Sequence, residues 1–126
     1  MSRGIAAAPA CMHARRARDA GGPSRARQVA NVVVFEAAWL ACILGVAHGR
    51  PGWGTAAAVA AIAWHVAISA RPASELALAG LLGAIGFVAE SLVAAQGHVA
   101  YPAGQPVAWL APYWMVALWA EFAIVP

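Results

Sequence analysis

The chain has 126 residues, is 63% hydrophobic and only 10% charged, with a mean hydropathy of +0.69, a formal net charge of +3 and a pI near 9.5. Water-soluble domains carry about a quarter charged residues, and so few charges could not cover the apolar surface of a chain this small. A soluble globular domain is therefore excluded, and an integral membrane protein expected.

Residues 1–28 come first. All eight basic residues of the chain are arginines, and Arg3, Arg15, Arg16, Arg18, Arg25 and Arg27 fall in this segment. They mix with Gly, Pro and Ala without helical periodicity, which predicts a basic disordered tail. The segment has no aromatic residue, so it offers a nucleic acid no stacking platform, and no nucleic-acid partner is expected. It reads as a cytoplasmic topology signal able to touch anionic lipid. Met12 is a possible alternative start. Cys11 follows IAAAPA, which is too short an apolar stretch for a lipoprotein signal. The other cysteine, Cys42, lies in the first apolar run. With no CxxC pair and no Cys/His ligand spacing, neither a disulfide nor a metal site is expected.

Four apolar runs follow, at about 31–47, 53–70, 76–95 and 107–125. Each has roughly the 17–20 residues that a helix needs to cross about 30 Å of hydrocarbon. Helices are the open-chain form that leaves no backbone group unpaired in lipid. The connections HGRPG, RPASE and QGHVAYPAGQP are short, and Pro51, Pro72, Pro102 and Pro106 stand at or beside boundaries. The expected fold is thus all-α: a membrane bundle of four transmembrane helices in up-down order over residues 29–126. The tail arginines and Arg71 lie on one side against Arg50 on the other, so both termini are expected inside. Pairing along Ala37, Ala41 and Gly45 of the first helix, and Gly83, Gly86 and Ala94 of the third, would let backbones approach closely. Alanine-rich sequence also produces such stripes by chance.

Four ionisable side chains, Glu36, His65, Glu90 and Glu121, fall inside these spans, where a charge costs roughly 2.5–3.5 kcal/mol. Under the inside–inside orientation, Glu36, His65 and Glu121 lie about 6–8 Å inside one border, with Glu90 near the other. In one reading the first three form a buried proton-handling or substrate-binding cluster. In another, each acid stays neutral or reaches the near headgroups while His65 bonds a backbone carbonyl. A cluster that only fixes helix register is a third. Trp53, Tyr101 and Trp109 read as interfacial aromatics. Trp39, Trp64, Trp114 and Trp119 lie deeper and read as packing residues. GxSxG, HExxH, a phosphate loop and a dinucleotide fingerprint are all missing, so neither catalysis nor a cofactor is expected. GLLGAIG, residues 80–86, reads as a helix-packing face.

From NVVVFEAAWLACILG onward the chain resembles short bacterial multi-spanning membrane proteins grouped as domain of unknown function 2878. The likeness covers about residues 30–123. It rests on Asn31, Phe35, Trp39 and Gly45, then Gly86, Glu90, Ser91 and Tyr101-Pro102. PYWMVALWAEFA, with Pro112, Trp114, Leu118, Trp119, Phe122 and Ala123, is its most specific block. The resemblance implies a bacterial inner-membrane protein with no assigned activity. It also implies glutamine more often at Glu36, aspartate more often at Glu90 and an apolar residue at Glu121. Members continue beyond the last block, so a chain shortened at its C-terminus is expected. The leading expectation is an accessory or structural subunit working through helix–helix contacts, its partners the bilayer and another membrane protein or a second copy. A small proton-coupled carrier using the intramembrane Glu and His residues is the alternative, and a membrane-embedded lipid-modifying enzyme the third.

Overall fold

The structure is a computed structural model and describes residues 24–125. The tail readings for residues 1–23, Cys11 and Met12 included, lie outside the described residues. Four α-helices follow in order: α1 (Arg25–Ala47), α2 (Pro51–Ile68), α3 (Pro72–Ala95) and α4 (Tyr113–Glu121), with a closing 3-10 turn over Phe122–Ile124. The described residues contain no strand.

α1 starts earlier than the composition of the basic segment predicts. Ser24 caps it, its Oγ accepting from the Arg27 N–H at 3.4 Å, and the Arg-Ala-Arg-Gln stretch that follows is made of good helix formers. The helix thus begins six residues before Asn31. α2 and α3 each carry proline at their first position, where the missing N–H has no helical acceptor to lose. Three-residue connections, 48–50 and 69–71, make α1/α2 and α2/α3 antiparallel neighbours. Gly49 turns the first of them at φ 69°, and the Arg50 N–H returns to the Gly45 carbonyl at 2.7 Å.

α1, α2 and α3 are each long and apolar enough to cross a membrane, at about 35, 27 and 36 Å. Their outward faces expose large apolar side chains, among them Leu40, Leu44, Val59, Leu81 and Val88. Such faces are stable against acyl chains and would aggregate in water. This is a membrane protein.

The fourth run behaves differently. Helix does not begin at residue 107 but at Tyr113, and α4 has 9 residues, about 14 Å, half a crossing. Pro112 is the reason. It disfavours helical backbone at Ala111 and instead forms the helix boundary at φ −68°, ψ 142°. Residues 96–112 become a long folded connection. Gly104 turns within it at φ 86°, the Gln105 amide donates to the Ala108 and Leu110 carbonyls, and the Trp114 indole donates to the Ala103 carbonyl at 2.9 Å.

α4 wedges between α2 and α3. Leu118 and Trp114 pack on Cys42 and Ala58, and Ile124 on Ala38 and Ala61. The α1/α2 seam is closed by smallness. A Cβ at Gly54 would lie 2.2 Å from the Cys42 Cα, and one at Gly45 would lie 2.9 Å from the Arg50 carbonyl oxygen. The buried positions of α1 are Asn31, Ala38 and Cys42. The seam is therefore turned slightly from the expected Ala37–Ala41–Gly45 stripe: Ala37 is exposed and Ala41 half-buried, its carbonyl facing Gly54. On α3, Gly83, Gly86 and Ala94 are all buried as expected, joined by Ala79. There the partner of Gly83 and Gly86 is α4: Ala120 packs over Gly83, and the Trp119 side chain fills the space a Gly86 Cβ would need.

Candidate functional site

Glu90 is the best-organised polar group in the bundle. It sits on α3 five residues before Ala95, one turn beyond Gly86. Because Gly86 has no side chain, Trp119 packs directly against α3 there, and its indole Nε1–H donates to Glu90 Oε1 at 3.0 Å. The Tyr101 hydroxyl, from the long connection, donates to Oε2. The neighbouring Ser91 Oγ accepts from the Ala111 N–H at 3.0 Å. One turn of α3 thus holds the long connection at two points and α4 at a third. All three bonds are part-buried, where water competes less than at an exposed site. Tyr101 also meets Trp114 edge-on, ring centroids 6.2 Å apart. Burial first, then the Glu90 hydrogen bond and charge, push the Tyr101 hydroxyl up to about 12, so it stays a donor throughout the neutral range.

Tyr101 is therefore not a free interfacial aromatic. It is a ligand of Glu90, and its half-buried ring belongs to the core around Trp114. Trp53 and Trp109 are 73% and 60% exposed, positions that suit a headgroup belt.

The other three candidates are not brought together. α1 begins at Arg25, so Glu36 lies 11 residues from Arg25 and 11 from Ala47, at the middle of the helix rather than near its inner border. It faces outward and is exposed. His65 does lie near an end, three residues before Ile68. It meets neither Glu36 nor Glu121: its Nε2 stands 3.5 Å from Glu75 Oε2, in the first turn of α3, the one approach of a basic side chain to a carboxylate within 4 Å among the described residues. Ser69 Oγ donates to the other Glu75 oxygen at 3.5 Å. The three-residue connection Ser69–Arg71 could have revealed this pair, since it forces the last turn of α2 against the first of α3.

Glu121 is the surprise of depth. The late start of α4 moves it away from the border and into the centre of the bundle. Its turn lies between Leu118, on Cys42 and Ala58, and Ile124, on Ala38 and Ala61. Ala58 is 7 residues from Pro51 and Ala61 is 7 from Ile68, so that level is about 10 Å from both ends of α2. The side chain is 0% exposed, and neither carboxylate oxygen has a hydrogen-bond partner. A buried polar group without partners costs about 1–3 kcal/mol. Glu121→Met, which keeps the length and loses the oxygens, is therefore expected to raise stability by about 1–2 kcal/mol, measured by unfolding in detergent micelles. A loss instead would show that the carboxyl serves a bond.

Two further buried atoms lack partners: Asn31 Oδ1 and His65 Nδ1. The described residues hold no group of three His, Cys, Asp or Glu side chains able to bind a metal ion.

A family model described as "Protein of unknown function (DUF2878)" matches residues 28–126. The chain belongs to that family. No curated protein and no solved structure matches the chain. The DUF2878 match takes in the whole described bundle from Gln28 on, including Glu90, Ser91, Tyr101 and Trp119. It assigns no biochemical role to any of them.

Proposed function

We propose that this DUF2878 protein is an accessory or structural subunit of a bacterial inner membrane, without catalytic activity, and works through its helix faces. The observation that carries this reading is the state of Glu90. Both of its oxygens are occupied from within the chain, by Tyr101 and Trp119, so the acid fastens α3, the long connection and α4 together. Each oxygen accepts from a donor fixed by the fold, which gives this acid a structural use.

The arginines orient the bundle. Arg25, Arg27 and Arg71 lie at the ends of α1 and α3 that share one border, with Arg50 at the other. The positive-inside bias then puts the N-terminus in the cytoplasm, the 96–112 connection outside, and α4 pointing back inward, entering the membrane to about half its depth. A phosphatase reporter inserted in the 96–112 connection is expected to be active only outside.

A small proton-coupled carrier is the second reading, and Glu121 favours it: an acid at mid-depth with two open oxygens is the feature that proton relays use. Crosslinking in native membranes followed by purification separates the two. The accessory role expects a reproducible membrane-protein partner and proteoliposomes without pH-driven flux. Flux abolished by Glu121→Gln would establish the carrier in its place.

A further inference from the structure

The outer face of α1 carries a polar group that this chain alone cannot satisfy. Val29, Val33, Glu36, Leu40, Ile43 and Ala47 are all exposed. Their spacing is 4-3-4-3-4, the repeat by which two helices keep one seam along a left-handed crossing. At 100° per residue this stripe lies nearly opposite Asn31, Ala38 and Cys42, the side of α1 that the bundle buries. No other described element covers it. At its centre stands Glu36, 9 residues beyond Arg27, or about 14 Å from the headgroup level the arginines mark. That is well beyond the reach of a glutamate side chain. Acids at this depth almost always face other protein rather than lipid.

The occupant must present something to a carboxyl group at the same depth. In a parallel two-fold pair every seam residue meets its own counterpart at equal depth. Two carboxylic acids so placed satisfy each other, each O–H donating to the other's carbonyl oxygen. The basic side chains among the described residues, Arg25, Arg27, Arg50 and Arg71, all lie at helix ends or connections. None can reach Glu36 of a second copy at mid-helix. Glu36 is also the single polar residue of an otherwise apolar seam, the arrangement that fixes register and partner number in paired helices.

We propose that the chain associates with a second copy of itself through this face of α1, with the two Glu36 carboxyl groups hydrogen-bonded to each other in mid-membrane. The proposal deepens the accessory reading and rests on it in one respect, that helix faces are the working surfaces.

The test uses the full chain in its own membranes, with Cys11→Ser and Cys42→Ala removing the native thiols. Val33→Cys and Leu40→Cys, introduced singly, are expected to give disulfide-linked dimers under mild oxidation. Leu81→Cys, on the exposed face of α3, is expected to give none. In lipid vesicles, fluorescence transfer between labelled copies is then followed as protein is diluted in lipid. Glu36→Gln, which keeps one donor group and one acceptor, is expected to hold the pair within a few-fold. Glu36→Val is expected to weaken it about tenfold; the site is exposed, so the fold itself tolerates the change, as helical circular dichroism will verify. Crosslinks as strong at Leu81→Cys as at Val33→Cys overturn the assigned face. Undiminished pairing of Glu36→Val overturns the acid pair. A Val33→Cys crosslink to a different protein overturns self-association yet leaves the accessory reading standing. Self-pairing with no other partner in native membranes does the reverse.

Discussion

Gly54→Val is expected to destabilise the bundle by about 3 kcal/mol or more. Even the first added atom, the Cβ, would sit 2.2 Å from the Cys42 Cα, 2.7 Å from the Cys42 nitrogen and 2.8 Å from the Ala41 carbonyl oxygen. All three are backbone atoms of α1, which cannot turn aside as a side-chain end can. The two helices must separate along their length. Separation also opens the layer of Cys42, Ala58, Trp114 and Leu118 beneath α4. Between transmembrane helices lipid supplies no hydrophobic drive to restore the contact, since close packing is itself the attraction. Unfolding of detergent-solubilised protein measures the loss. Gly52, one turn-edge away, has open space around its missing side chain; Gly52→Ala is expected to change little. Similar losses at both positions would show that the helix pair is not held by close approach at Gly54.

Glu90→Leu is expected to cost about 2–4 kcal/mol, because it removes both acceptors at once and leaves the Tyr101 hydroxyl and the Trp119 indole N–H without partners. Glu90→Gln keeps one acceptor oxygen, so about half that loss is expected. The two bonds also differ in which segment they hold. Tyr101 holds the 96–112 connection, whereas Trp119 holds α4 over Gly86. Hydrogen exchange should therefore show both segments opening earlier in Glu90→Leu, with α1 and α2 unchanged. Trp119→Phe isolates one of the two bonds and is expected to free α4 alone. If Glu90→Leu left exchange in the connection untouched, the acid would not be its fastening.

The difference between Glu90 and Glu121 is why opposite effects on stability are expected from two acids on neighbouring helices. The first has its desolvation offset by two donors, so removing it orphans them. The second has no donor, so removing it relieves a cost. No donor in the fold relieves that cost, so Glu121 is the residue on which a carrier function would turn.

Much of this protein could be read without its structure. Hydropathy and length alone marked α1, α2 and α3, because a helix crossing hydrocarbon must be continuous, apolar and of a set length. Pro51 and Pro72 marked the boundaries, but the helices begin on the prolines themselves, ahead of the expected starts at 53 and 76, because proline is well placed at the first helical position. Of the two small-residue stripes, Gly83, Gly86 and Ala94 lie buried on α3, whereas Ala37 of the other is exposed. Apolar content could not place the fourth helix, since Val107-Ala-Trp-Leu is as apolar as Tyr113-Trp-Met-Val; what ended the helix at Tyr113 was the backbone restriction at Pro112. Ser24 likewise lengthened α1 through a local hydrogen bond that composition does not register. Those two shifts moved Glu121 and Glu36 to mid-depth, and helix rotation then sent one inward and the other outward. Depth follows from counting along the chain, but direction depends on which face each helix turns to its neighbours. Only the packed bundle decides that, and with it which acid acquires a partner.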